Sequence, residues 1–349
     1  MIFTGRTNVK QERFFDILAK LLSFFVITGV FFMCKNPKTH HIFKNINVEK
    51  AISDTFSVYR TSSNTFLDEL KSTAITTQKS QAPVFNPEVV NEFENQEQSP
   101  EPVYETQVKY YNSGDFINYD DVLIKNHTKH EINAESLMEG YTPPKKKKSP
   151  QILIVHTHAT EGFSDQATSR TTDTEKNVVK IGSVLEKYLE EKGFNVLHDI
   201  VLHDYPNYNG SYKNALKTIE WYLEHYPEIN IVLDIHRDAI VTADGNRTKL
   251  TYNYNGKKAA QLMVVTGTNQ GGLTHENWRE NLKFAIGLQG VANKMYDGLM
   301  RPIDLRVERF NGHVTNNALI VEFGTDGNTL DEALLSAKLL SEIINEYIR

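Results

Sequence analysis

The chain has 349 residues, long enough for more than one domain, and 40% of them are hydrophobic, enough for at least one real core. Lysine and arginine total 38 against 44 aspartate and glutamate, a formal net charge of −6. That balance gives no reason to expect nucleic acid, whose binders present a basic face. Cys34 is the only cysteine, which excludes a disulfide framework and a cysteine-ligated metal site.

Residues 1–16 carry Arg6, Lys10 and Arg13, and Ile17 to Cys34 is then mostly apolar with Lys20 its only charge. As a helix at about 1.5 Å per residue that run spans roughly 27 Å, close to the hydrocarbon thickness of a bilayer. It ends Phe31-Phe32-Met33-Cys34-Lys35 with no small-x-small cleavage site, so 17–34 is read as an uncleaved anchor rather than a signal peptide. The basic start favours a cytoplasmic N-terminus, although Lys35, Lys38 and Lys44 beyond the run weigh against that orientation. Residues 35–109 read as an extracytoplasmic stalk. It holds one weak helical candidate at Val48–Thr73, then Pro83, Pro87, Pro100 and Pro102 among Glu, Gln and Asn, a composition that stays solvated.

Residues 110–150 form an accessory segment with a short predicted strand at Asp121–Lys125. Lys145 to Lys148 follow two prolines there, read as a solvated loop in preference to a surface for acidic polymers. From 151 to 349 strand and helix signals alternate. Strands are expected at 152–155, 194–197, 230–235, 260–266 and 318–323. Helices are expected at 175–192, from a Ser211 cap to Tyr226, at 276–298 and at 330–348. Such alternation predicts a single α/β domain: a mostly parallel or mixed sheet flanked by helices on both faces.

Three of these strands run into chemistry. Ile152-Leu-Ile-Val155 is followed by His156, His158 and Glu161; the strand at 230–235 delivers His236; Ala318-Leu-Ile-Val321 delivers Glu322. Ligands of open α/β sheets bind just beyond the carboxyl ends of strands, and imidazole with carboxylate is a donor set that zinc accepts. His158 is the expected ligand of the first histidine pair, with His156 the alternate. His236 is the second ligand, with Asp234 and Asp238 available to receive its other ring N–H. The third is Glu161, with Glu175 at the start of the first helix as its rival. Glu322, at the end of an apolar run, is the expected general base. Arg237 is a candidate for holding a substrate carboxylate, or for an ion pair with a neighbouring aspartate. His313, in Arg309-Phe-Asn-Gly-His313, is a candidate for oxyanion stabilisation or leaving-group protonation, or an ordinary loop histidine. The stretch Asp204–Tyr212 is aromatic and turn-rich, suited to a surface loop or to lining a groove.

At these residues the chain resembles the stage II sporulation protein P family of endospore-forming bacteria. The resemblance rests on His156-Thr-His-x-x-Glu161, the Asn177-Val-Val helix, His203-Asp-Tyr-Pro-Asn-Tyr-Asn-Gly-Ser-Tyr212 and Asp234-Ile-His-Arg-Asp-Ala239. It extends to Gly271-Gly-Leu-x-His-x-Asn-Trp278-Arg-Glu-Asn281, Arg309-Phe-Asn-x-His313 and Leu319-Ile-Val-Glu-x-Gly324, covering about 150–349. It implies a relation to zinc-dependent N-acetylmuramoyl-L-alanine amidases, whose zinc is held by two histidines and a glutamate beside a catalytic glutamate. Those amidases open on an Asp-Pro-Gly-His-type loop and take the glutamate ligand from the following helix. The His-Thr-His loop here departs from that pattern, so Glu161 and Glu175 both stay open. The resemblance further implies peptidoglycan as substrate, possible cutting of peptide cross-links, Zn2+ as cofactor, and stage II sporulation proteins D and M as partners. It also implies a single-pass membrane protein acting between the mother-cell and forespore membranes during engulfment. Two rival readings are a metallohydrolase of another substrate and a non-catalytic peptidoglycan-binding scaffold.

Overall fold

The structure is a computed structural model. It describes residues 103–108 and 114–349 apart from Asp244, all within the compact unit Lys79–Arg349. The expected cytoplasmic segment, the anchor at 17–34 and the stalk as far as residue 102 lie outside the described residues. Among the described residues no helix is long and apolar enough to cross a membrane.

In chain order the strands are β1 (Val103–Thr106), β2 (Ile117–Tyr119), β3 (Val122–Asn126), β4 (Ile152–Val155), β5 (Val196–His198), β6 (Ile231–Asp238), β7 (Arg247–Tyr254), β8 (Lys257–Ala260), β9 (Leu262–Thr266), β10 (Ile303–Leu305) and β11 (Ala318–Thr325). The helices are α1 (Ala134–Met138), α2 (Val178–Glu191), α3 (Ser211–His225), α4 (Trp278–Met295) and α5 (Leu330–Tyr347). Eight strands form a mixed sheet in the order β2-β3-β10-β9-β11-β6-β4-β5, and β1-β7-β8 form a smaller one. In the large sheet β11, β6, β4 and β5 run parallel to one another, while β9 is antiparallel to β11. The carboxyl ends of β4, β6 and β11 therefore share one edge.

Alternation along the strands divides the core in two. Ile152, Ile154, Ile231, Leu233, Ile235, Leu319, Val321 and Phe323 pack with α2, α4 and α5. Leu153, Val155, Val232 and Ala318 pack on the other face with Ile219 and Tyr222 of α3. Helix ends follow local chemistry. The Asn177 side chain accepts the Val179 N–H to open α2, and Gly193 at φ 82° closes it. Thr329 and Glu332 make a capping box for α5. At α3 the capping position belongs to Gly210, with Ser211 the first helical residue.

Four differences from the expected elements have physical causes. Val103–Thr106, assigned to the stalk, is a strand, because it pairs in parallel with β7 and Glu105 is gripped by Lys258 and Thr251. The single strand expected at 260–266 is two. Buried Gln261 turns its side-chain amide onto the Val108 and Gly298 carbonyls, and the chain crosses there from the small sheet to the large one. β6 and β11 run on through His236 and Glu322 because the two strands keep pairing past the apolar stretch. The lysine loop is partly docked: Lys146 donates to Lys192 O and Asn345 Oδ1, both at 2.9 Å, and sits over the Phe194 ring.

Candidate active site

The site grows from the β6–β11 pair. Counting in twos from Val232, Asp234 and His236 project from the α3 face, as do Ile320 and Glu322 counting from Ala318. The parallel register sets Glu322 beside His236 and Ile320 beside Asp234. One sheet face thus presents a buried imidazole flanked by carboxylates.

His236 Nε2 lies 2.9 Å from Asp234 Oδ1, and Nδ1 lies 3.6 Å from Glu161 Oε2. The Nε2 contact is ionic rather than a hydrogen bond, since the ring N–H is not aligned with the carboxylate. Asp234 is fixed from the other side by the Thr157 N–H at 2.8 Å and the Thr157 hydroxyl at 2.6 Å. Burial pulls the His236 pKa down, but Asp234, Glu161 and Glu322 outweigh it and raise it to about 10. Asp234 also fights burial, and His236 with Thr157 holds its carboxyl below the usual range. The pocket demands a positive charge.

Glu322 differs from its neighbours. Its side chain is partly exposed, yet Oε2 is buried with no hydrogen-bond partner. Burial pushes its pKa up to about 8, opposed by His236 and reinforced by Glu161 and Asp238. A buried carboxylate oxygen without a donor is costly unless something occupies it.

The two histidines after β4 part company. His158 lies against His236, ring centroids 5.3 Å apart and perpendicular. It stacks on Tyr208 at 4.5 Å and meets Tyr212 edge-on. Tyr208 Oη is 3.2 Å from Nε2 and Ser211 Oγ is 3.3 Å from Nδ1. Burial and the neighbouring His236 lower its pKa to about 4, so its imidazole is neutral. His156 continues the Ile154 side of β4 onto the α2 face. There Nδ1 meets Ile235 O at 3.2 Å, and Nε2 meets His198 Nε2 at 2.8 Å. His198 in turn meets Glu186 of α2 at 3.1 Å. Gly182 of α2 leaves the space for this pair: a Cβ there would lie 2.5 Å from both Nε2 atoms.

Three further candidates are not drawn into the centre. Arg237 spends its guanidinium on Gly162 O and Ser169 O, both at 2.9 Å, so it braces the 162–169 loop, and no ion pair with an adjacent aspartate forms among the described residues. Its backbone N–H, however, donates to Glu161 Oε2 at 3.1 Å. His313 stands before β11 starts, while Glu322 is about 13 Å of strand rise beyond Ala318. Burial, with Arg309 nearby, lowers its pKa, and it bears in turn on His275; the loop before it, Arg309 to Gly312, lines a cavity with Asp234. Glu175 is exposed and paired with Lys180 at 2.5 Å, so Glu161 is the carboxylate beside His236.

The donor set suits a divalent cation. Tetrahedral zinc with bonds of about 2.0–2.2 Å separates adjacent donors by roughly 3.4 Å, and His236 Nδ1 with Glu161 Oε2 is close to that spacing. Asp234, 2.9 Å from the far ring nitrogen, is the kind of group that a metal-bound histidine takes as partner, here in ionic contact. His158 is neutral and adjacent, but its nitrogens face Tyr208 and Ser211. As they stand, no three histidine, cysteine or carboxylate side chains among the described residues converge on one point.

Residues unforeseen in the sequence also build the centre: Tyr208, Ser211 and Arg170. The aromatic, turn-rich stretch 204–212 and its place among the family motifs marked the region of the first two without giving either a role in the centre. Nothing near Arg170 in the sequence marks it.

Fold and site together define a mixed α/β protein with a histidine–carboxylate centre at the carboxyl ends of its strands. The chain belongs to the stage II sporulation protein P family, whose model matches residues 61–345. It is 26% identical over 224 residues to stage II sporulation protein P of Bacillus subtilis (strain 168), which covers 58% of this chain and 53% of that protein. The chain thus spans about half the length of the curated relative it matches. Among solved structures it is similar to the CwlD amidase of Clostridioides difficile in complex with the GerS lipoprotein: TM-score 0.35, 12% identity, covering 57% of this chain and 95% of that one. It is also similar to the N-acetylmuramoyl-L-alanine amidase AmiC2 of Nostoc punctiforme: TM-score 0.32, 12% identity, covering 58% and 96%.

Proposed function

We propose that this chain is a peptidoglycan hydrolase of sporulation that cuts the amide between N-acetylmuramic acid and L-alanine, with peptide cross-links as a second bond to be tested. The observation that carries the reading is the unpartnered Glu322 Oε2 beside His236, on a face that demands positive charge. Family membership supports the biological setting, and the amidases it is similar to suggest the bond.

His158, Glu161 and His236 are the residues that would hold Zn2+. Zinc, when bound, supplies a Lewis acid for the scissile carbonyl. Asp234, itself held by Thr157, keeps His236 oriented with Nδ1 toward Glu161. Cationic charge near Glu322 favours its ionised form, in which the free Oε2 takes a proton from the attacking water and delivers it to the leaving amine. Arg237 keeps the 162–169 loop and Glu161 in register.

The apolar run at 17–34 supports a single-pass anchor in the cell membrane, with the catalytic unit outside the cytoplasm between the mother-cell and forespore membranes. Stage II sporulation proteins D and M are proposed partners on the family's account.

The test pairs elemental analysis with digestion of purified sacculi. About one zinc per chain, lysis lost on chelation, and new amino groups on L-alanine are the expected results. Lysis indifferent to chelators would sink the metal mechanism. Bound zinc without new amino termini would redirect the reading to another substrate.

A further inference from the structure

Beyond the proposed ligands, one chain of contacts runs from a buried anchor to both loop residues of the centre. It begins at Asp204, whose carboxylate is fully buried. Asp204 accepts the Thr160 hydroxyl at 2.6 Å, the Thr160 N–H at 3.2 Å and Arg170 Nη1 at 2.7 Å. Arg170 is brought there by a small hairpin. Gly162 N–H donates to Ser169 O at 2.9 Å, Thr171 N–H donates to Thr160 O at 2.8 Å, and Glu161 bridges Arg170.

From that position Arg170 does two things at once. Its Nη2 lies 3.9 Å from Glu161 Oε1, and its guanidinium carbon lies 4.6 Å from the centre of the Tyr208 ring. Tyr208 in turn is nearly coplanar with His158, at an interplanar angle of 8°, with its hydroxyl at Nε2. The planar fork of arginine can pair with carboxylates and lie on an aromatic face together; a lysine ammonium cannot. Neither residue is core. The Arg170 side chain is 27% exposed and Tyr208 is 50% exposed, so their removal costs little buried area.

We propose that Arg170 and Tyr208 form a clasp that positions Glu161 and His158 for metal capture. They are positioning residues: Arg170 sets the Glu161 carboxylate, and Tyr208, held under Arg170, sets the plane of the His158 ring. With Ser211 Oγ at Nδ1 and Tyr208 Oη at Nε2, a cation takes one ring nitrogen by displacing its hydroxyl, and the other hydroxyl then holds the ring. The inference rests on the zinc reading of the site.

The test is the zinc affinity of the full-length chain, measured by competition with a chromophoric chelator, alongside the unfolding temperature of the metal-free protein. Arg170→Ala and Tyr208→Ala are expected to weaken zinc binding about 10–100-fold, the range found when partners of metal ligands are removed. The metal-free unfolding temperature should stay at its wild-type value in the Tyr208 variants and fall in Arg170→Ala, which leaves the buried Asp204 carboxylate without its cation. Tyr208→Phe, which keeps the ring and loses the hydroxyl, should fall between wild type and Tyr208→Ala. If Arg170→Ala does not fold, Arg170→Lys carries the test, since it keeps the charge near Asp204 and loses the stacking; a loss of about 10-fold is expected. Wild-type affinity in the alanine or lysine variants overturns the clasp and leaves the zinc reading standing. No zinc binding by the wild type overturns both.

Discussion

Two histidine pairs sit at the carboxyl edge of the same sheet, and they make opposite use of it. His156 and His198, on the α2 face, spend their ring nitrogens on each other, on Ile235 O and on Glu186. Nothing there is left over for a ligand. His158 and His236, on the α3 face, sit among Glu161, Asp234 and Glu322, with a carboxylate oxygen that has no donor. A satisfied polar cluster stabilises a fold; an unsatisfied, charge-hungry one needs a guest. Residues two apart in the chain thus join a satisfied cluster and an unsatisfied one, because β4 ends at Val155 and the loop after it crosses to the other face.

The strongest way to break this contrast is His236→Ala, which should abolish zinc content and lower sacculus digestion by at least ~10³-fold. Wild-type lysis in that variant would end the mechanism. Next, Glu322→Gln should retain zinc by elemental analysis and lose about 10²–10⁴-fold in turnover, the worth of a general base. Loss of metal in Glu322→Gln would instead make it a ligand. Third, Gly182→Ala pushes a methyl against both Nε2 atoms of the structural pair. Calorimetry should read a loss of about 1–3 kcal/mol, with one zinc per chain still bound; a drop in zinc stoichiometry would mean that the two pairs are not separate.

The smallest effect comes from a histidine in neither pair. Burial, with His313 nearby, lowers the His275 pKa from 6.5 to about 4. Between those values the unfolded chain binds a proton that the folded chain refuses. Stability is therefore complete above about pH 6.5 and is lost as pH falls toward 4. His275→Gln should flatten that pH dependence by less than ~1.4 kcal/mol per pH unit, the slope of one proton. An unchanged slope would show that His275 is solvated.

Much of the scaffold was legible because its strands are apolar runs that cannot face water. Ile152–Val155, Ile231–Ile235 and Ala318–Val321 announce themselves, and polar residues at their ends are conspicuous. Less legible was anything set by partners far along the chain. β10 has three residues, and β7 mixes charge with aromatics; they are strands because β3 and β9 flank the first and β1 and β8 the second. Arg237 read as a substrate clamp or an aspartate partner, because the backbone carbonyls it meets are contacts no sequence pattern records. His313 sits near Glu322 in sequence, yet the strand between them carries the two apart. Arg170 meets Asp204 across 34 residues and Tyr208 across 38, contacts that spacing alone does not reveal.

β1 also has a mechanical meaning. Its four residues pair in parallel with β7 from Val103↔Arg247 to Thr106↔Leu250, and Gln261 grips Val108 just beyond. A pull along the chain from before Val103 therefore loads these bonds side by side, in shear, instead of peeling them one at a time. The folded unit meets any tension in the preceding chain at a small sheet of its own.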